Sequence, residues 1–455
     1  MAFNSLTFLV FIALFGLGWM MVKPHRQLRY WFITIASFIF YGWWDWRFLF
    51  LIILSGTVDF FAGMLMDRAK SPLARKLILG FSIFVNLGTL CIFKYSGFFA
   101  ENMDGLIGTD LKNNIPAFAL ILPVGISFYT FQSMSYTIDV YRRKLRPTYN
   151  YMHFMAFLAL FPQLVAGPII RATDLLWRLE ATPSTTETQR WIAARLIVLG
   201  FTQKLLIADN LAGFVDKAFA NPAGSAGTIF WWGVMTAFAV QIYCDFAGYS
   251  NIARGLLKYM SYGIKPNFRF PYFAAGFREF WNRWHISLSH WFRDYVYIPL
   301  GGNHGSKILQ YRALWATFLL SGFWHGAGWT FLAWGALHAA YLSFERITKW
   351  PARMPRLPAV LLTFMMATTA WVFFRAATFS DAAHILSNML FPAGPAHIDI
   401  NIPLGVFAVF LIMEFYTRYQ PLRRYRNLEV CILGLTLAIA ILFRGPGHGF
   451  IYFQF

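Results

Sequence analysis

The sequence predicts an all-α polytopic membrane protein with about ten spanning helices and additional re-entrant elements. Of its 455 residues, 58% are hydrophobic and only 13% charged, and the mean hydropathy is +0.50; soluble domains carry about a quarter charged residues. Apolar runs of roughly twenty residues, the length that spans a bilayer, recur from end to end. The loops between them differ in Lys and Arg content, as alternating membrane faces require. No composition shift marks a boundary, so residues 1–455 read as a single membrane domain.

The first run, 3–22, lacks a basic leader and a small-residue cleavage site, and it reads as a spanning helix rather than a signal peptide. Further runs follow at 30–44, 47–65, 75–95, 115–138, 190–212, 227–250, 357–374, 402–417 and 428–443. Basic connections lie at 23–29, 66–76, 142–146 ("RRKLR"), 346–356 and 418–426, whereas 96–114, 213–226 and 376–401 are poor in Lys and Arg. Ten crossings alternate these loops, placing "RRKLR" in the cytoplasm and both termini outside.

Three segments do not fit as crossings. Residues 151–170, 252–312 and 313–345 each join stretches on the cytoplasmic face, so each needs an even number of passes. A hairpin or re-entrant element meets that need, and such backbone is tolerated at membrane depth only under protein or beside a water-filled cavity. Pro162, Gly167 and Pro168 are expected to break the first segment, and Gly322, Gly326 and Gly328 the last. Thirteen residues separate Arg312 from His325, which is about 20 Å of helix. His325 is therefore expected near the turn of a hairpin, deep in the bilayer.

The net charge of +19, from 39 basic and 20 acidic residues, follows from positive cytoplasmic loops and calls for no nucleic-acid partner. Cys91, Cys244 and Cys431 sit in apolar runs, with neither a disulfide framework nor metal-ligand spacing. "GGNHGSK" (301–307) lacks the phosphate-loop spacing, and no serine-hydrolase elbow or zinc-protease motif occurs. Neither a metal nor a permanently bound cofactor is expected.

An ionisable residue inside a membrane is a functional-site hypothesis by default. His325, in "SGFWHGAGW", is the foremost candidate. A hydrogen-bonded core histidine is the bland alternative, and for His338 on the returning helix an interhelical hydrogen bond is the better reading. In 277–302 the aromatic positions Phe277, Phe280, Trp281 and Trp284, with Leu288, recur at three and four residues between Arg278, Glu279, Asn282 and Arg283. That pattern reads as an amphipathic helix at the membrane interface. His285 follows it, and a folded-back segment would bring His285 and His325 together for acid–base chemistry. Asp245, in "YCDFAGYSN", is a carboxylate in a spanning helix, with a helix-packing network and a functional role equally open.

"FWNRWHISLSHWFRDYVYIPLGGN" followed by "SGFWHGAGWTFLAWGALH" resembles the membrane-bound O-acyltransferase family, in particular its bacterial polysaccharide-acetylation branch typified by alginate acetylation. "LPVGISFYTFQSMSYTIDVYRRK", "FPQLVAGPIIR", "NFRFPYFA" and the terminal "FIYFQF" extend the resemblance over nearly the whole chain. It implies a ring of tilted helices around a central funnel. It also implies catalysis by the buried histidine of "WHG", here His325, with His285 of "RWHIS" as the second polar residue. Asp245, Asn282 and Trp324 are candidate supporting residues. Arg278, Arg283 and Arg293 are candidate partners for the phosphates of a donor, with positive-inside topology as their bland explanation.

The leading hypothesis is an enzyme in a bacterial inner membrane. It takes an acetyl group from acetyl-CoA or an acyl carrier thioester in the cytosol. It passes the group toward an exported polysaccharide, directly or through a periplasmic or membrane-anchored acyltransferase partner beside the secretion machinery. His325 would serve as base or as nucleophile. Within the enzyme class, D-alanyl transfer to teichoic acid is the runner-up. A flippase for a lipid-linked sugar would show pseudo-symmetric halves, and none is found. A non-catalytic scaffold would survive loss of His325.

Overall fold

Long apolar runs with few breakers fold as helices because a membrane offers the backbone no water to bond. The computed structural model describes residues 1, 3–165, 167–222, 227–391, 401–419, 426–447 and 449–451, and no strand occurs among them. The predicted loop 418–426 and the terminal "FIYFQF" fall mostly outside the described residues. Among the described residues five helical stretches are long and apolar enough to cross a membrane: Arg26–Arg68, Pro72–Ile107, Glu187–Phe219, Thr228–Tyr259 and Arg356–Arg375. Leu6–Val22, the first predicted span, is an apolar helix of 17 residues.

The chain forms two compact units, Met1–Ala194 with Ala253–Lys265, and Arg195–Ile252 with Pro266–Phe455. The first begins with α1 (Leu6–Val22), α2 (Arg26–Asp45), α3 (Leu49–Arg68), α4 (Pro72–Leu90), α5 (Ser96–Ile107) and α6 (Ile126–Tyr141). The predicted spans 30–44 and 47–65 adjoin through a single turn at Trp46–Phe48. The span predicted over 115–138 starts only at Ile126: Pro116, Pro123 and Gly125 interrupt the apolar run, and Ala117–Leu120 is a separate 3-10 turn. Buried Asp59 joins α3, α4 and α6. Its carboxylate accepts from Ser82 Oγ at 2.6 Å and from Asn86 Nδ2 at 3.0 Å, and also from Ser133. Hydrogen bonds of this kind hold membrane helices together where the hydrophobic effect cannot.

The expected break in 151–170 is present. Helix α7 (Tyr151–Leu158) stops, the short α8 (Phe161–Leu164) follows, and α9 (Ala172–Glu180) begins after Pro168. Residues Phe154 and Ala156 through Phe161 have no exposed surface at all. Gln132 and Gln163 donate to the Phe157 carbonyl at 2.9 and 3.1 Å, and Ser37 accepts from the Phe161 amide at 3.0 Å. The irregular backbone is thus enclosed by protein, the condition a re-entrant segment has to meet.

Helix α10 (Glu187–Phe201) runs from the first unit into the second and passes through a π-helical stretch, Thr202–Ala208, into α11 (Asp209–Phe219), and the long α12 (Thr228–Tyr259) likewise has residues in both units. The interfacial helix predicted from the 277–288 pattern is broken: α13 is Phe277–Trp281, α14 is Ile286–Phe292, and the chain turns between them at residues 282–285. Helices α15 (Lys307–His325) and α16 (Trp329–Thr348) form the expected hairpin. Gly326 and Gly328 lie in its turn. Gly322 does not break the helix; it sits inside α15, where a Cβ would run into the Phe331 carbonyl, and one on Gly335 would meet the Phe318 carbonyl. Small residues let membrane helices approach this closely. Helices α17 (Arg356–Arg375), α18 (Phe379–Leu390), α19 (Asn401–Tyr419) and α20 (Arg426–Leu442) complete the unit.

Because the atoms facing Gly322 are backbone, they cannot move aside singly. Gly322→Ala should destabilise the protein by about 1–3 kcal/mol. Gly328→Ala should leave it unchanged, since its Cβ would find Phe331 at an ordinary 3.4 Å. Thermal unfolding of the two purified variants beside the wild type measures the difference.

Candidate active site

His325 is the last residue of α15 and is almost fully buried. Its ring packs against Trp324 at 4.9 Å, Trp334 at 5.0 Å and Phe374 at 5.3 Å between centroids. The apex of the hairpin is therefore an aromatic pocket around one imidazole. An imidazole enclosed in this way can serve as a proton acceptor when a hydroxyl is brought to it.

His285 is fully buried and takes the left-handed conformation, φ 41° and ψ 53°. A non-glycine residue rests there only when its neighbours hold it. Asn267 supplies that hold: its carbonyl accepts from Ile286 N–H at 2.8 Å and its side chain accepts from Ser287 N–H at 3.0 Å. Phe246 lies edge-on to the His285 ring at 4.5 Å, and Trp324 lies at 6.4 Å. Trp324 thus packs on the His325 ring and lies near that of His285.

A cavity of about 190 Å³ opens beside the hairpin. Arg278, Asn282 and Arg293 line it, together with Trp281, Phe318 and Ser321. Ser321 is one helical turn before His325, so the cavity ends one turn short of the imidazole. The N-terminus of α13, which carries Arg278, is fixed by Glu345, whose carboxylate accepts from Phe277 N–H at 2.5 Å. Arg346, in the same cavity, escaped the sequence reading as a site residue, although a hairpin returning from His325 brings it level with the segment around Arg312.

Two predicted residues lie elsewhere. Arg283 turns to Glu279, with which it forms an ion pair, and to the Phe270 carbonyl. Asp245 pairs with Lys204 at 2.7 Å and accepts from the Ile451 N–H at 2.7 Å, while Lys204 also holds Asp209 at 2.8 Å. This network pins α12 to the π-helical stretch and to the residues near the C-terminus. Among the described residues the interhelical hydrogen bond expected of His338 is absent, and its ring is enclosed by aromatic side chains instead. Buried Glu414, facing Tyr243 Oη at 3.0 Å, was also missed, and its signal was a lone carboxylate in the apolar run 402–417.

The sequence model of the membrane-bound O-acyltransferase family matches residues 137–382, more than half the chain and both histidine segments. The chain belongs to that family. A probable alginate O-acetylase of Pseudomonas aeruginosa is 39% identical over 384 residues, covering 83% of this chain and 72% of that protein. The peptidoglycan O-acetyltransferase of Helicobacter pylori is 34% identical over 389 residues, covering 79% and 73%. The teichoic acid D-alanyltransferase of Streptococcus thermophilus is 31% identical over 227 residues, covering 47% and 54%. The protein is a membrane O-acyltransferase rather than a flippase or a scaffold.

Removing a general base typically costs 10²–10⁴-fold in rate. His325→Ala should lower acyl transfer by about that factor while expression and membrane insertion stay normal. His285→Ala should lower it strongly without abolishing it, because water partly replaces an orienting or relaying group. Turnover by the purified variants in vesicles is the measurement, and wild-type rates in either would remove that residue from the chemistry.

Proposed function

We propose that this chain transfers an acetyl group from a cytosolic thioester toward a hydroxyl group of an exported polysaccharide, directly or through an acyltransferase partner at the outer face. The observation that carries this reading is the placement of His325 at the hairpin apex, one turn beyond a cavity bearing Arg278, Arg293 and Arg346. The arginines suit the phosphates of coenzyme A or of a carrier-bound prosthetic arm. The thioester end would then reach past Ser321 to His325. The relatives that span most of this chain are named for acetylation of alginate and of peptidoglycan, both polymers outside the cytoplasm. The D-alanyl relative spans about half of it, which favours acetyl over D-alanyl.

The reaction balances with His325 as base. The imidazole takes the proton of the acceptor hydroxyl as its oxygen attacks the thioester carbonyl. The tetrahedral intermediate collapses, the carbon–sulfur bond breaks, and the imidazolium returns the proton to the departing thiolate. His285, near Trp324, orients a reactant or relays that proton. An inner membrane, with "RRKLR" facing the cytosol and the termini outside, sets the two substrates on opposite faces.

The test is the ester-linked acetate that mild alkali releases from the cell's exported polymers. Deleting the protein should remove it from one polymer, and wild type but not His325→Ala should restore it. Unchanged acetate, or loss of D-alanine esters instead, would overturn the reading.

A further inference from the structure

His338 stands one ring away from both the cavity and His325, and the reaction as described makes no use of it. It is fully buried on α16, and neither of its ring nitrogens has a hydrogen-bond partner among the described residues. Leaving a buried polar group so costs about 1–3 kcal/mol, and native structures retain few such groups. Trp334 lies 4.8 Å from its ring, Trp281 5.0 Å and Phe318 6.3 Å. Trp281 and Phe318 also line the cavity, while Trp334 packs on His325 at 5.0 Å. The indole N–H groups of Trp281 and Trp334 likewise have no acceptor among the described residues. Among the described residues, the His338 imidazole and the indoles of Trp281 and Trp334 are therefore unsatisfied polar groups of the aromatic wall between the cavity and His325.

Their chemistry narrows what would satisfy them. A neutral imidazole offers one donor and one acceptor, and an indole offers a donor only. An amide is the complement of the first and its carbonyl the complement of the second. Charged groups are excluded, because this wall holds no counter-charge and burying an unpaired ion is costly. A thioester donor carries amides along the pantetheine arm that ends in its sulfur, and coenzyme A and acyl carrier proteins share that arm.

We infer that His338 is a specificity-determining residue for the donor, hydrogen-bonding an amide of the pantetheine arm as it passes Trp281 toward His325. Trp281 and Trp334 add donors along the same path. This rests on the thioester reading above. The role is one of selection: His338 touches the arm and leaves bond-making to His325.

The experiment compares thioesters with and without amides on the purified protein in vesicles. S-acetyl-pantetheine and S-acetyl-mercaptoethanol present the same reacting group, and acetyl-CoA and an acetylated carrier protein supply the physiological forms of the arm. Wild type should prefer S-acetyl-pantetheine in kcat/KM by about tenfold or more, the worth of one well-made hydrogen bond. His338→Phe should erase that preference by raising KM for the amide-bearing donors about tenfold, leaving kcat and the amide-free thioester unchanged. His338→Gln, which keeps a donor and an acceptor, should restore part of it. The same loss should appear with whichever of acetyl-CoA and the carrier thioester the wild type uses, and it identifies that source. Should His338→Phe fail to fold, Trp281→Phe provides the second reading, with a smaller selective loss. Equal slowing of amide-bearing and amide-free donors, or an unchanged preference, would sink the assignment of His338 alone. A folded wild type inactive with every thioester would sink the donor reading and this inference with it.

Discussion

Gly322 and Gly335 carry no side chains to keep two helices apart, and the hairpin that presents His325 closes on their contact. A Cβ at either position would strike the partner's backbone. Close approach brings Trp334 of α16 against His325 of α15 at 5.0 Å and aligns Phe374 on the same ring. Everything chemical in the site is referred to this hairpin. The cavity lies along its α15 face, and Glu345 near the end of α16 holds the helix that carries Arg278.

The second histidine is held by a different device. His285 lies where the 277–292 segment breaks, in a left-handed conformation that Asn267 stabilises from both its backbone and its side chain. Such a residue carries local strain that surrounding contacts must offset, and strain of this kind gathers at functional sites. Trp324 lies near both imidazoles, at a position that the register of the hairpin sets. The ion pairs of Lys204 with Asp209 and Asp245 stiffen the neighbouring π-helical stretch. Removing one partner of such a buried pair typically costs 3–5 kcal/mol.

Much of this was legible in the sequence because membranes simplify the rules. Hydropathy marked the helices, charge alternation demanded the hairpin, and counting residues from Arg312 placed His325 at its apex. The helix hidden in 115–138 was misjudged because apolar composition masked Pro116, Pro123 and Gly125. Sequence position alone makes Gly322 look like a breaker, because its role is a contact with a distant backbone. Periodicity likewise joined 277–281 to 286–292, since nothing in the spacing reports the hold of Asn267 on residues 286 and 287. Arg283 looked equivalent to Arg278 until tertiary pairing gave it to Glu279. His338 was expected to hydrogen-bond because burial usually demands it, and only the packed structure shows its aromatic enclosure.

The central claim is that one imidazole at the hairpin apex serves substrates arriving from opposite faces. Oriented vesicles with labelled thioester supplied to one side test it most directly. The account predicts labelled product only when the donor is on the face bearing residues 142–146 and the acceptor, or its partner protein, is on the other. Transfer only when donor and acceptor share one face would contradict it.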